Sequence, residues 1–299
     1  VNGTASTGQA IHPNEETMST RIGFVDYNPD NFHANIFLKI LREDLSDRGF
    51  TVSGCHALLD SEGKEWSSEN EVSYFESPDD LNANVDVFAV LAPSNPEVHM
   101  ELCEKVLKYG KPTYVDKTFA PSLEIAEQIF GLADQHGTAI QTTSALRYTE
   151  VQEFVTENGG REALRHMIAW GPGRSFEEYA IHPAETVVSC MGEDALSLMR
   201  RNDGDFSQLI INYSDSRTAV INVCTNSKTA YAASLTTAEQ TAHVTVDTGK
   251  LFVTMTDAML DFFESGTPSI PRGESLMVRR ILDAAVDPGA CEGFVKLSD

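Results

Sequence analysis

Apolar positions along the chain change their period about half-way. Residues 21–25 and 50–57 read as short strands. Between them Phe32, Ile36, Phe37, Ile40, Leu41 and Leu45 recur at the three-to-four spacing of one helix face. Residues 72–75 suggest a further short strand. Residues 85–91 form a largely apolar run, as expected of a strand covered on both faces of a parallel sheet. Ala92-Pro93-Ser94-Asn95-Pro96 breaks that run, and a helix is expected over 97–109, stopped by Gly110. Residues 113–115 and 139–142 read as strands. The helix between them starts at Ser122, which can cap it, with Glu124 in its first turn. Strands alternating with helices of this length predict a doubly wound parallel sheet of Rossmann type.

Past residue 144 the pattern differs. Residues 166–170, 196–200, 208–213, 218–224, 242–246 and 251–254 read as strands, separated by turn signals such as Asn202-Asp203-Gly204 and Asp247-Thr248-Gly249. One helix, about 177–190, is set among them, and 257–264 and 274–285 read as closing helices. The expected fold class is therefore α/β. An N-terminal Rossmann-type domain, 18–146, precedes an α+β domain, 147–299, built on one large, mostly antiparallel sheet. Residues 1–17 are polar and aperiodic and read as a disordered extension ahead of Met18. A sheet of that size needs cover on both faces. Its own helices supply one, and the other is a natural place for a second subunit in a homo-oligomer.

Charge narrows the partners. The chain of 299 residues carries a formal net charge of −23, which argues against nucleic acid or an anionic membrane, because phosphate would be repelled. No stretch of eighteen apolar residues is present, and no basic segment followed by an apolar one opens the chain. The five cysteines are widely spaced with no CxxC pair, so free thiols in a cytoplasmic protein are expected and no metal site is. The acid excess is distributed along the chain and reads as a solvated surface.

Four segments carry the candidate chemistry. Val85-Asp86-Val87-Phe88-Ala89-Val90-Leu91-Ala92-Pro93 is followed by His99. Gly110-Lys111-Pro112-Thr113-Tyr114-Val115-Asp116-Lys117 places a lysine at the C-terminal end of a buried strand, where open α/β sheets bind their ligands. Glu178 and Glu185 flank His182 four before and three after, a spacing that puts all three on one helix face. The tail from 259 to 285 closes the chain. In combination these segments resemble the Gfo/Idh/MocA oxidoreductases, relatives of glucose-fructose oxidoreductase and inositol dehydrogenase. Asp116-Lys117-Thr118 stands at that family's Glu-Lys-Pro motif, with Asp for Glu and Thr for Pro.

The resemblance implies an oxidoreductase that uses NAD or NADP on a secondary hydroxyl of a sugar, polyol or related small molecule. It implies that Lys117 polarises the substrate oxygen and that His182 takes the hydroxyl proton, an exchange imidazole makes near neutral pH. Glu178 would support the imidazole, and Glu185, Arg147 and Tyr148 would position substrate. Cofactor contacts would come from Asn28, Asn31, Pro93, Asn95, His99 and Asp116. The turn after the first strand departs most. Asp26-Tyr27-Asn28-Pro29-Asp30-Asn31 has no glycine, although glycines there let a pyrophosphate reach backbone N–H groups. Asn28 and Asn31 can take positive φ more readily than most residues. Two alternatives follow from this turn: a non-redox binding or regulatory relative, or a lyase or glycoside-cleaving enzyme that uses redox transiently.

Overall fold

The computed structural model describes residues 19–202 and 204–297; the expected extension at 1–17 lies outside them. Two sheets organise the chain. The first has five parallel strands in the order β2-β1-β3-β4-β5: β1 (Thr20–Asp26), β2 (Phe50–Ala57), β3 (Val87–Val90), β4 (Thr113–Val115) and β5 (Ile140–Thr142). Helices α1 (Phe32–Arg42), α2 (Asp60–Glu69), α3 (Pro78–Asn84), α4 (His99–Val106) and α5 (Leu123–His136) connect them. The apolar period of α1 buries Phe37, Ile40 and Leu41 beneath the sheet. Ser122 does cap α5, accepting from the Ile125 N–H, and Gly137 ends it in the left-handed conformation. Residues 72–75 form only an isolated bridge, Tyr74 to Cys55, because the segment is spent crossing to α3.

The second sheet has seven strands in the order β11-β10-β6-β9-β8-β7-β12. These are β6 (His166–Gly173), β7 (Ala195–Arg201), β8 (Phe206–Tyr213), β9 (Thr218–Thr225), β10 (Ala232–Thr236), β11 (Thr241–Thr245) and β12 (Val295–Lys296). All neighbours are antiparallel except β6 and β9. Before it comes α6 (Glu150–Glu157), and the expected single helix of 177–190 is two, α7 (Phe176–Tyr179) and α8 (Ile181–Met191). The strand expected at 251–254 is instead the first turn of α9 (Leu251–Ser265), whose apolar residues continue at helical spacing to Phe263. Then come α10 (Arg272–Val286) and α11 (Gly289–Glu292).

The long final helices join the two halves. Helix α9 packs on α1, and α10 packs on both α5 and α8. Asp257 and Asp261 of α9 pair with Arg48 just before β2. The C-terminal ends of β1, β3 and β4 thus face the start of α8, and the site lies between them.

Candidate active site

Strand β4 delivers Asp116 and Lys117 at its end. Asp116 is fully buried. It accepts from the Lys117 N–H at 2.8 Å and from His33 Nδ1 at 2.5 Å. Burial alone would raise its pKa, but the imidazole of His33 and then the ammonium of Lys117 hold it below the usual carboxylate range. Lys117 Nζ donates to the Pro93 carbonyl at 3.0 Å, across from the end of β3.

His182 approaches from the other side, one residue into α8. Its Nδ1 is hydrogen-bonded to Ser144 Oγ at 2.9 Å, and Tyr179 and Tyr231 stand edge-on to its ring. Ser144 Oγ also accepts from the Leu146 N–H, so the hydroxyl is fixed by the turn that carries it. Burial, then the charges of Lys117 and His33, push the His182 pKa down to about 3. The ring is therefore a neutral imidazole at physiological pH.

Lys117 and His182 line one cleft of about 450 Å³, with Asn31, His33, Pro93, Ser94, Arg174, Glu178 and Phe252 among the other walls. Of the residues singled out in the sequence, the cleft gathers Lys117, His182, Glu178, Asn31 and Pro93. Glu178 does not touch the imidazole. It accepts from Ser94 Oγ at 3.2 Å and so ties the loop after β3 to α7; the group that orients the ring is Ser144.

The remaining candidates stand elsewhere, each for a physical reason. Glu185, on the same helix as His182, is drawn to a buried cation and does not line the cleft. It accepts from Arg147 Nε at 2.6 Å, and Arg147 Nη1 donates to Glu274 at 2.5 Å. Burial disfavours the Arg147 cation, but the two carboxylates outweigh it and hold its proton more tightly than usual. Arg147 and Glu185 thus form a buried ionic tie, and neither lines this cleft. The guanidinium that does reach the cleft is Arg174, at the end of β6. Tyr148 is largely buried, beside a separate surface hollow with Thr149 and Gln152. His99 is fully buried, with both ring nitrogens taken by the carbonyls of Leu91 and Phe119. Asn95 is turned to Glu97, and Asp116 lies beneath the cleft floor, not on it.

The glycine-free turn is built by side chains. Asn31 caps α1 by accepting from the Ala34 N–H, and its Nδ2 donates to Asp26 Oδ2 and to the Asn28 carbonyl, both at 2.8 Å. Asn28 Oδ1 accepts from the Asp30 N–H. Neither asparagine uses positive φ; Asn31 sits at −137°. Asp26, only 1 % exposed, also accepts from Ala92, and desolvation pushes its pKa up to about 7. A dinucleotide therefore meets a mixed reception. The ends of β3 and β4 offer a lysine, a serine and an open cleft. The turn offers a pyrophosphate a carboxylate and a helix end already capped. Among the described residues, no group of three or more His, Cys, Asp or Glu is placed to hold a metal ion.

Residues 46–144 match the profile of the Gfo/Idh/MocA group, an oxidoreductase family with an NAD-binding Rossmann fold. That stretch belongs to the Gfo/Idh/MocA family. The match starts beyond β1, the turn and α1, the part that departs. No curated protein matches the chain in sequence. Solved structures match over nearly all of it. The scyllo-inositol dehydrogenase of Lactobacillus casei, with bound NAD(H) and scyllo-inositol, is 13% identical with a TM-score of 0.77, covering 94% of this chain and 100% of its own. GenD2 from gentamicin A biosynthesis, in complex with NAD, is 14% identical, TM-score 0.77, covering 97% and 100%. The myo-inositol 2-dehydrogenase of Lactobacillus plantarum is 11% identical, TM-score 0.77, covering 94% and 100%. At these identities the likeness is one of fold, and it spans both sheets.

Sequence reasoning passed over Ser144, Arg174 and Tyr231 as site residues. Ser144 and Arg174 each follow the end of a strand, a position that could have flagged them. Tyr231 lies in an irregular segment, and nothing local marks it.

Proposed function

We propose that the protein is a nicotinamide-dependent oxidoreductase that acts on a secondary hydroxyl of a sugar, polyol or related small molecule. The observation that carries this reading is the convergence of Lys117 and His182 on one cleft, an ammonium from the end of β4 and a neutral imidazole from α8. The cofactor, when bound, supplies the hydride acceptor. Pro93, Ser94 and Lys117 would border its nicotinamide, and Asn31 its phosphate side. The protein's own groups handle the oxygen. Lys117 Nζ donates a hydrogen bond to it, stabilising negative charge as the O–H bond weakens, and neutral His182 accepts from the hydroxyl through the nitrogen that Ser144 leaves free. Arg174 and Glu178 stand where further hydroxyls would be held. Support comes also from the dehydrogenases that share the fold, two of them named for inositols. On the same reading, residues up to about 146 form the cofactor domain, and the rest the substrate and subunit-contact domain.

The test is turnover of a panel of inositols and aldoses with NAD and with NADP, followed at the nicotinamide absorbance. Lys117→Met and His182→Gln should each lower kcat by about 100-fold or more while leaving the melting temperature nearly unchanged. A substrate still turned over at the wild-type rate by both variants refutes the assignment. The turn favours a second reading, a binding protein without redox chemistry, because it has no glycine and Asn31 already takes a backbone N–H at the start of α1, leaving less for a pyrophosphate. Under that reading a polyol raises the melting temperature and neither NAD nor NADP does.

A further inference from the structure

The end of β6 builds a corner of the cleft that the hydroxyl chemistry itself does not use. Gly171-Pro172-Gly173-Arg174 closes the strand, and its two glycines are packing requirements. A Cβ on Gly173 would collide with the Tyr179 side chain, and one on Gly171 would press on Pro183 at 2.8 Å and meet the Tyr231 ring at 3.3 Å. The bare strand end thus seats both tyrosines, and both stand edge-on to His182 with ring centroids 5.8 Å away. Arg174 follows directly. It is exposed and lines the cleft together with Tyr179 and Tyr231. Among the described residues, neither phenol hydroxyl makes a hydrogen bond, and the Arg174 guanidinium makes neither a hydrogen bond nor an ion pair. Burial pushes the Tyr231 phenol up to about 12, so it stays an O–H donor. Glu178 shares the cleft but turns to Ser94 Oγ at 3.2 Å and forms no ion pair with Arg174. In a chain with a formal net charge of −23, carboxylates are plentiful, yet none has been placed on this cation.

We infer that Arg174, with the hydroxyls of Tyr179 and Tyr231, receives a carboxylate of the substrate, which is therefore an acidic sugar, a uronate or an aldonate. This deepens the oxidoreductase reading and rests on it: where that reading holds a further hydroxyl at Arg174, the substrate carries a carboxylate. The planar guanidinium fork matches two carboxylate oxygens, and a phenol O–H donates to either of them. A substrate hydroxyl would use one N–H and leave the charge unanswered. A dianion such as a phosphate ester suits the corner less, because a single guanidinium supplies one charge and Glu178 lines the same cleft. The corner also adjoins the imidazole that meets the reacting hydroxyl, since both tyrosines contact the His182 ring. Carboxylate and reacting hydroxyl therefore belong to one small molecule, and Glu178 accepts from its other hydroxyls while repelling a second negative group.

Two measurements decide it. The first is binding, read from the melting temperature with and without NAD. Glucuronate, galacturonate and gluconate are compared with glucose, galactose and myo-inositol at one ionic strength. The carboxylates should raise the melting temperature more than the neutral compounds, and Arg174→Met should remove that advantage. A hexose monophosphate tests the other anion; if it stabilises more than glucuronate through Arg174, the carboxylate assignment is overturned. The second is kinetic. The ratio of kcat/KM for a uronate to that for the matching neutral sugar should fall by about 10- to 100-fold in Arg174→Met. It should fall by a smaller factor in Tyr231→Phe, which keeps the ring beside His182. A merely structural role lowers both substrates alike and leaves the ratio unmoved. That result, or a wild type that binds and turns over only neutral sugars, overturns the inference and leaves the oxidoreductase reading standing. If carboxylates bind through Arg174 but reduce neither NAD nor NADP, that reading fails and the anion site stands. Where nothing turns over and no carboxylate raises the melting temperature, both fall.

Discussion

At the scale of single residues, Asp26 shows how a turn can be kept without its usual chemistry. The position ends β1, where a short backbone turn normally needs glycine. Here Asp26, Asn28 and Asn31 replace backbone freedom with side-chain hydrogen bonds. The cost is a buried carboxylate whose pKa desolvation raises to about 7. The folded state then binds a proton that the unfolded chain has lost above about pH 4, so this residue lowers stability progressively as pH rises from about 4 to 7. Asp26→Asn is accordingly expected to be neutral at pH 4 and stabilising at pH 8, by up to about 4 kcal/mol if the full shift is recovered. Urea unfolding at both pH values checks it; equal effects at pH 4 and pH 8 would show that the carboxylate is not desolvated. Lys117 was legible in the sequence because a strand end names its own location. His182 was legible by its spacing to two acids, although the spacing misassigned them: Glu178 went to Ser94 and Glu185 to Arg147. Partner choice depends on what each side chain meets across the fold, and spacing along a helix does not state that.

At the scale of elements, the periodic segments gave their type and the aperiodic ones did not. Helix α1 and strand β3 were readable because each buries a continuous apolar face. Helix α2, with its three buried residues Gly63, Trp66 and Ser67, has almost no apolar stripe and was missed. Strand β10 is small and polar in sequence, Ala-Ala-Ser-Leu-Thr, and gains its identity from pairing between β6 and β11. The elements are locked by the buried cluster of Arg147, Glu185 and Glu274, which joins the turn after β5 to α8 and α10, with Arg161 on the outer oxygen of Glu274. Replacing Arg147 leaves the buried Glu185 without its cation and Glu274 with Arg161 alone. Arg147→Met is expected to cost about 3–5 kcal/mol, and Arg147→Met combined with Glu185→Gln and Glu274→Gln to recover most of that loss. Chemical denaturation of both proteins measures it, and a single variant as stable as the wild type would contradict the argument.

At the scale of the whole molecule, the charge distribution singles out one surface. The chain has 45 acidic residues, yet strands β6 to β11 contain no Asp or Glu. Helices α8 and α10 cover the side of the sheet that carries Met167, Ala169, Ile221 and Leu209. On the other side, strand register aligns Ile168 with Val220, Val220 with Ile210, and Ile210 with Met199, an apolar row across four strands. A monomer with a net charge of −23 repels its copies everywhere except where acids are absent. The expected outcome is a dimer joined through this face. Its association strengthens as salt screens the remaining charge, since separated surface charges are largely screened beyond about 8–10 Å at 0.1–0.15 M ionic strength. Placing a carboxylate in the middle of the row reverses both properties. Val220→Glu should sediment as a folded monomer at low and high salt, because an unpaired charge in the centre of an apolar contact is costly to desolvate. The cleft, built within one chain, should keep its ligand affinity. A Val220→Glu protein that remains dimeric would move the subunit contact to another surface. A wild type that is monomeric even at high salt would leave the acid-free face without a subunit role.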